Sequence, residues 1–388
     1  MEENGIEGFI WAGKGEEMRI DRIEVYYAVF PLVYPWVTAY GADPDAHSIF
    51  VKLASGNAEG WGESAPLYAP TYSPESAVGV FHTIREYFAP QIVGKEFETA
   101  RDLVAHLKHF KGNHFAKGAI EIAWWMLKAT REKKPLHRLL GGTRQAVDAG
   151  IAHGIKENLD MLMEAIQKGI DAGYKRTKLK FAHGWGLEML QPVRANFPGH
   201  TFHIDCNSSF TLDDLPMFKE VDKLGLAMIE QPLPHDDLVD HAKLQARIQT
   251  PVCLDESIKS VRDLRLAIEL KSCRYINIKH GRVGGLQASL DIHNLARDNG
   301  IPAWIGGMLE SSLAVGISVE LATLENIVYP SDVGASSQFI REDVTTPTIE
   351  FPGKERAFKP SSVPGVPNLP DPKKLERHTR EKFILEAN

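Results

Sequence analysis

The sequence is poor in cysteine. It has three, Cys206, Cys253 and Cys273, an odd number without the paired spacing of a structural metal site. That excludes a disulfide framework and points to a reduced, cytoplasmic protein in which the cysteines are packing residues. No apolar run approaches the roughly 18 residues of a membrane span, and no membrane association is expected. The opening stretch is acidic and has no signal-peptide pattern. There is no long basic run, and the net charge is −7, which speaks against nucleic acid as a partner.

What is present is an ordinary globular composition: 388 residues, 43% hydrophobic and 24% charged. That is enough for two domains, or one large barrel with additions. Met18 precedes the first convincing strand, so residues 1–17 are expected to form a loose extension. Residues 18–145 read as an α+β domain. Short alternating strands up to about residue 70 are followed by segments with helical periodicity, such as "AKGAIEIAWWMLKATREK". "RLLGGTR" (138–144) reads as a helix end and marks the boundary. In 146–345, apolar strand candidates alternate with helical segments: "AGIAHGI", "RTKLKF", "TFHIDCN", "AMIEQPL", "PVCLDES", "YINIKH" and "PAWIGG", with "VYPSDVG" as a possible last strand. Repeated βα units in about 200 residues predict a closed α/β barrel rather than an open sheet. No glycine-rich phosphate fingerprint follows the first strand. The Pro-rich segment 346–388 is expected to return to the first domain.

The strand ends carry charge. Asp205, Glu230 and Asp255 each lie 25 residues apart, and Lys279 follows 24 later. One βα unit is about that long, so these residues come from successive strands at equal heights, on the face where barrel active sites lie. Lys178 and Lys180 end the preceding strand and share one of its faces. Three converging carboxylates repel one another unless a cation joins them. All-oxygen ligands favour Mg²⁺ or Mn²⁺ over zinc. Glu256, next to Asp255, should face differently and lean towards a lysine. Beside the metal and other ammonium groups, Lys180 is expected to have a lowered pKa and to act as a base, with Lys178 assisting. The competing reading is a structural ring of salt bridges.

The motifs "KLK" (178–180), "DCN" (205–207), "EQP" (230–232), "LDES" (254–257) and "NIKHGRVGG" (277–285), in this order, resemble those of the enolase superfamily, muconate-lactonizing-enzyme subgroup. "GWGES", "YAPTYSPES", "GGMLESSLA" and "YPSDVGASSQF" are similar to the o-succinylbenzoate synthase and N-succinylamino acid racemase family within it. The resemblance implies a modified (β/α)₇β TIM-type barrel, capped by an α+β domain built from the N-terminal region and the C-terminal tail. It implies Mg²⁺ bound by Asp205, Glu230 and Asp255, an acid/base pair of Lys180 and Lys279, and help from Asn207 and Lys178. Enolase-type sites pair such a base with Mg²⁺. Gly307, Met308 and Glu310, after the seventh strand, and Tyr68 of the cap are candidates to touch the substrate or to support groups that do. Cap loops at about 30–42 and 64–73, with Tyr34, Trp36, Tyr68 and Tyr72, would close over a small carboxylate substrate. A symmetric homo-oligomer is also implied.

The implied reactions are dehydration to o-succinylbenzoate in menaquinone synthesis, or 1,1-proton transfer on N-acylamino acids. Both begin with abstraction of the proton α to a carboxylate, giving an enediolate. Another cycloisomerase or epimerase activity, and a non-catalytic barrel, are the remaining readings. "AWIGGMLE" lacks the Asp-x-Asp of dipeptide epimerases and the histidine of mandelate-racemase-like dehydratases.

Overall fold

The computed structural model describes residues 17–388. The expected extension, 1–17, lies outside the described residues except for Glu17. The first region is built on a long antiparallel hairpin, β1 (Arg22–Thr38) and β2 (Gly41–Ser55), continued by β3 (Ala58–Ser64). The segment expected to be a cap loop, 30–42, is therefore mostly the tip of this hairpin. The arms stay paired beyond an irregularity between Pro31 and Trp36.

β3 lies directly on helix α1 (His114–Glu132). The glycines of "GWGES" explain the close approach. A Cβ on Gly60 would stand 2.2 Å from the backbone nitrogen of Leu127, and one on Gly62 2.2 Å from the carbonyl oxygen of Ala119.

Seven parallel strands follow: β4 (Ile151–His153), β5 (Arg176–Lys180), β6 (Thr201–Asp205), β7 (Ile229–Glu230), β8 (Val252–Leu254), β9 (Tyr275–Ile278) and β10 (Ala303–Ile305). They are hydrogen-bonded in chain order, and each leads into a helix. Helix Leu159–Asp171 is typical. The Asn158 side chain caps it at Met161 N, and Leu162, Ile166 and Gly169 form its buried stripe.

The candidate last strand, "VYPSDVG", forms no strand. This segment and Ile327 just before it close the barrel with isolated bridges, Ile327 to Ala303 and Ser331 to Ala149. Pro330 has no N–H with which to extend a ladder. The last strand of the chain, β11 (Thr379–Glu386), pairs antiparallel with β1.

Two buried carboxylates join the cap to the barrel. Glu121 of α1 accepts from the backbone N–H groups of Leu286 and Gln287 at 2.7 and 2.8 Å, at the start of helix Leu286–Asp298. Glu63 at the end of β3 accepts from Ser311 N and Ala314 N at 2.9 and 3.2 Å, at the start of helix Ser312–Leu321. A negative group at a helix N-terminus satisfies N–H groups that have no partner within the helix. Burial pushes both carboxyls up to about 7, against the pull of those amides.

Candidate active site

Alternation along the strands decides what enters the barrel. Leu179, Ile204, Ile229, Leu254 and Ile276 belong to the main apolar core. The residues between them face inward, and most are polar. At the bottom, Met228, Cys253 and Trp304 pack with Tyr275 and Tyr329 as a separate cluster. Arg176 lies over the Trp304 and Tyr329 rings, at 5.2 and 5.5 Å. Lys178 and Lys180 rise above it on β5. An ordinary barrel of this type fills its interior with branched apolar side chains; here charge occupies that space.

The upper layer is a set of ion pairs. Lys180 Nζ donates to Asp205 Oδ2 at 2.8 Å and to Asn207 Oδ1 at 2.7 Å. Lys178 Nζ is 2.6 Å from Asp332 Oδ2, 3.5 Å from Asp205 and 3.6 Å from Glu230. Lys279 Nζ donates to Asp255 Oδ2 at 2.9 Å. Glu230 also accepts from Asn277 Nδ2 at 2.8 Å and stands 3.2 Å from His203 Nε2. Arg282 donates to Asp255 Oδ1, to which Tyr72 OH also donates at 2.9 Å. The strand ends are turned sharply to reach these positions. Asn207, Ser208 and Gln231 have φ of 44°, 61° and 36°, which non-glycine residues rarely adopt.

A cavity of about 140 Å³ opens above this layer. Lys178, Lys180, Asn207, Lys279 and Asp332 line it from the barrel, with Gly307, Met308 and Glu310 after β10. The cap contributes Leu32, Trp36, Tyr40, Leu67 and Tyr72. The hairpin tip is tied down over it: Val33 N donates to Phe339 O at 2.8 Å, and Ile155 N to Val37 O at 3.3 Å. Tyr40 OH donates to Glu256.

Burial works against the charge of Lys178, but Asp332, Glu230 and Asp205 outweigh it and hold the ammonium above its ordinary range. Lys279 is raised in the same way against burial, by Tyr72, Glu230, Glu256 and Asp205. At both lysines the neighbouring acidic and phenolic groups outweigh burial in the protein's own field. Glu230 is held well below the usual carboxylate range, mainly by Lys178 and His203, against the effect of burial. Burial and the charge of Asp205 push Glu256 up to about 7. Burial also pushes Glu310 up to about 7.

As placed, no three His, Cys, Asp or Glu side chains among the described residues form a ready-made metal cage. Each strand-end carboxylate is turned onto a cation of the chain instead. The donor set still fits a hard divalent ion. Asp205, Glu230 and Asp255 are 0–2% exposed, come from three adjacent strand positions, and offer only oxygen. Oε2 of Glu256, buried nearby, has no hydrogen-bond partner. An ion bound there would compete with Lys180, Lys279 and Arg282 for these carboxylates.

The structure therefore brings together Lys178, Lys180, Lys279, Asn207, Gly307, Met308 and Glu310 around one cavity, with Asp205, Glu230, Asp255 and Glu256 bonded to groups that line it or support them. Tyr68 is not brought in. It is 61% exposed and packs on His47 at 5.0 Å, while its neighbour Leu67 takes the inward position. Tyr34 is also exposed, beneath Lys156. Sequence reasoning missed Asp332 and Arg282; it had Tyr40 only as part of "YGADPD" (40–45), a segment expected to close over the substrate, and not for its bond to Glu256. Asp332 could have been found, since it stands near the end of the last strand candidate, "VYPSDVG", much as Asp205 ends β6.

Comparison with known proteins matches residues 161–366 to the family described as enolase C-terminal domain-like. Residues 22–141 match the mandelate racemase/muconate lactonizing enzyme N-terminal domain. The chain is 37% identical to the o-succinylbenzoate synthase of Geobacillus kaustophilus, over 94% of this chain and 96% of the relative. It is 38% identical to the N-succinylamino acid racemase of Thermus thermophilus, over 86% and 90%. A solved enolase-superfamily structure from Listeria innocua superposes with a TM-score of 0.91, at 32% identity, covering 96% of this chain and all of that one.

Proposed function

Because the chain belongs to the enolase superfamily, in its mandelate racemase/muconate lactonizing enzyme branch, and is thus a lyase or isomerase, we propose that it removes the proton α to a carboxylate with the help of Mg²⁺ and catalyses the dehydration that forms o-succinylbenzoate. The observation that carries this reading is the order of groups across the sheet. Lys180 and Lys279, both facing the cavity, flank the Asp205–Glu230–Asp255 row on β5 and after β9.

Asp205, Glu230 and Asp255 would hold the metal, with Mn²⁺ as a substitute. When bound, it supplies positive charge that stabilises the carboxylate oxygens of the substrate as the α-carbon loses its proton. Lys180, as the free amine, takes that proton. As the resulting ammonium, it returns a proton to the departing hydroxyl on the same face, so that water leaves and a double bond forms. Lys279 remains charged and faces the developing negative charge. Asn207 fixes Lys180 through its side-chain oxygen, and Lys178 offers a second cation to the substrate carboxylate. The hairpin tip, held by Tyr40 and Trp36, excludes water.

A second reading is racemisation of N-succinylamino acids. It is favoured by the placement of Lys180 and Lys279 on opposite sides of the carboxylate row: one removes the α-proton and the other delivers a proton to the opposite face.

Proton NMR in D₂O with Mg²⁺ tests both readings. One tube holds the cyclohexadiene precursor of o-succinylbenzoate and others hold N-succinylamino acids. Aromatic product is expected in the first, and loss of the α-proton signal in the others supports the second reaction. Lys180→Ala should cost at least about 100-fold in both. Lys279→Ala should abolish racemisation, while Lys279→Arg spares part of the dehydration. Unreactive substrates in every tube, with metal bound, would refute the assignment of substrate.

A further inference from the structure

The three carboxylates at the strand ends are not held alike. Asp205 accepts from the Lys180 ammonium, and Asp255 accepts from Lys279 and Arg282. Glu230 is held by groups of another kind. Asn277 Nδ2 donates to its Oε1 at 2.8 Å, and His203 Nε2 stands 3.2 Å from its Oε2. Lys178 is farther from the same oxygen, at 3.6 Å. An amide and an imidazole thus fix both oxygens of the middle carboxylate in the row.

His203 lies on β6 two residues before Asp205, so it points into the barrel one level lower. Its partner across the sheet is Lys178 on β5. The ring is fully buried, with Trp304 and Tyr329 at 5.4 and 5.6 Å. Arg176 lies over the same two aromatic rings. A further positive charge beside Arg176 and Lys178 at this depth is unfavourable, so the imidazole is neutral. The Glu230 carboxylate can only accept, which places the single ring hydrogen on Nε2. Nδ1 is then bare and accepts from Tyr329 OH at 3.1 Å. A chain of donors therefore runs from the closing segment of the barrel, through His203, to the centre of the carboxylate row.

We propose that His203 is a positioning residue for the divalent ion: its Nε2–H aims the Glu230 carboxylate without neutralising it, and Tyr329 fixes the tautomer that does so. This rests on the metal site proposed above, and on neither substrate. A cation in place of His203 would hold Glu230 as firmly but compete with the ion for its charge. An apolar ring there would free Oε2 to turn onto the Lys178 ammonium, already 3.6 Å away. Either way the ion would have to displace a cation of the chain at all three carboxylates rather than at two.

Calorimetric titration of the full chain with Mg²⁺ alone, without substrate, tests the proposal. His203→Phe keeps a flat ring but removes both nitrogens, and should weaken Mg²⁺ binding about 10- to 100-fold. His203→Gln keeps a donor and should recover most of that loss. Tyr329→Phe should weaken binding about three- to tenfold, the worth of one hydrogen bond. It should add nothing in the His203→Phe background, because its influence passes through the imidazole. Urea unfolding of the metal-free proteins shows whether each variant folds and separates lost stability from lost affinity. An affinity within about twofold of the native one in folded His203→Phe, where a positioning role requires at least about tenfold, would overturn the proposal. So would a full additional loss from Tyr329→Phe in that background. If His203→Phe does not fold, Tyr329→Phe decides alone, and an unchanged affinity there overturns the proposal. A native protein that binds no Mg²⁺ would retire the metal site itself.

Discussion

Closure of the barrel and order at the cavity floor are expected to depend on the side chain of Asp332. It joins the irregular closing segment to β5 through Arg176 Nη1 at 2.7 Å and Lys178 Nζ at 2.6 Å. The two cations are 0% and 6% exposed at the side chain, and Asp332 is 13% exposed. Asp332→Asn keeps the shape and one acceptor oxygen but removes the charge. Breaking a buried pair costs about 3–5 kcal/mol, because a charge is left without its partner. Lys178 keeps Asp205 and Glu230 within 3.6 Å, which softens its share. Arg176 keeps only the carbonyl of Pro330. The expected loss is therefore near the low end, about 3 kcal/mol. Urea unfolding followed by tryptophan fluorescence measures it. With a slope of about 3 kcal/mol/M, the midpoint should fall by about 1 M. In a Lys178→Met background the same change should cost at least about 1 kcal/mol less, since neighbours in one network are not additive. A loss below about 1 kcal/mol at unchanged slope would refute the idea that this pair closes the barrel.

Two further outcomes are expected. His241 is fully buried, and its Nε2 accepts from Leu233 N at 3.2 Å, so the ring is neutral. Burial lowers its pKa to about 4, below the unfolded value of about 6.5. Its contribution is therefore complete above about 6.5 and is lost as pH falls through about 4. Between about pH 6.5 and 5, roughly 2 kcal/mol of stability should disappear, and urea titrations of His241→Gln should lack that slope. Gly62→Ala drives a Cβ into the backbone of α1 and should cost about 3 kcal/mol or prevent folding. Gly199→Ala, with open space around it, should stay within about 0.5 kcal/mol of the native enzyme. Thermal melts of the two distinguish a local clash from general intolerance.

Much of the barrel was legible because its signals are local and periodic. Alternation told which strand residues share a face. The 25-residue repeat of Asp205, Glu230 and Asp255 placed them at one height without any knowledge of contacts. The cysteines were legible as packing residues for the same reason: Cys206 faces away from the interior, and Cys253 sits two residues below Asp255 in the Trp304 cluster. The cap was harder to read. The strand runs on through Pro31, Val33 and Pro35, a stretch with turn-like composition where pairing with β2 is interrupted, because Phe339, Ile340 and Arg341 pair with Val33, Leu32 and Pro31 instead. Exposure of Tyr68 and inward placement of Leu67 follow from packing that composition does not encode.

The order of chemistry along the chain, Lys-x-Lys, Asp, Glu, Asp, Lys, was determined by the sequence itself, since strand period and βα length convert spacing into position. The partners of those groups were decided only by the tertiary structure. Asp332 meets Arg176 across 156 residues, and Tyr72 meets Arg282 across 210. Glu63 and Glu121 reach helices 248 and 165 residues away. Such pairings depend on how the cap is seated and the barrel closed, and burial then sets their strength. No local pattern records either.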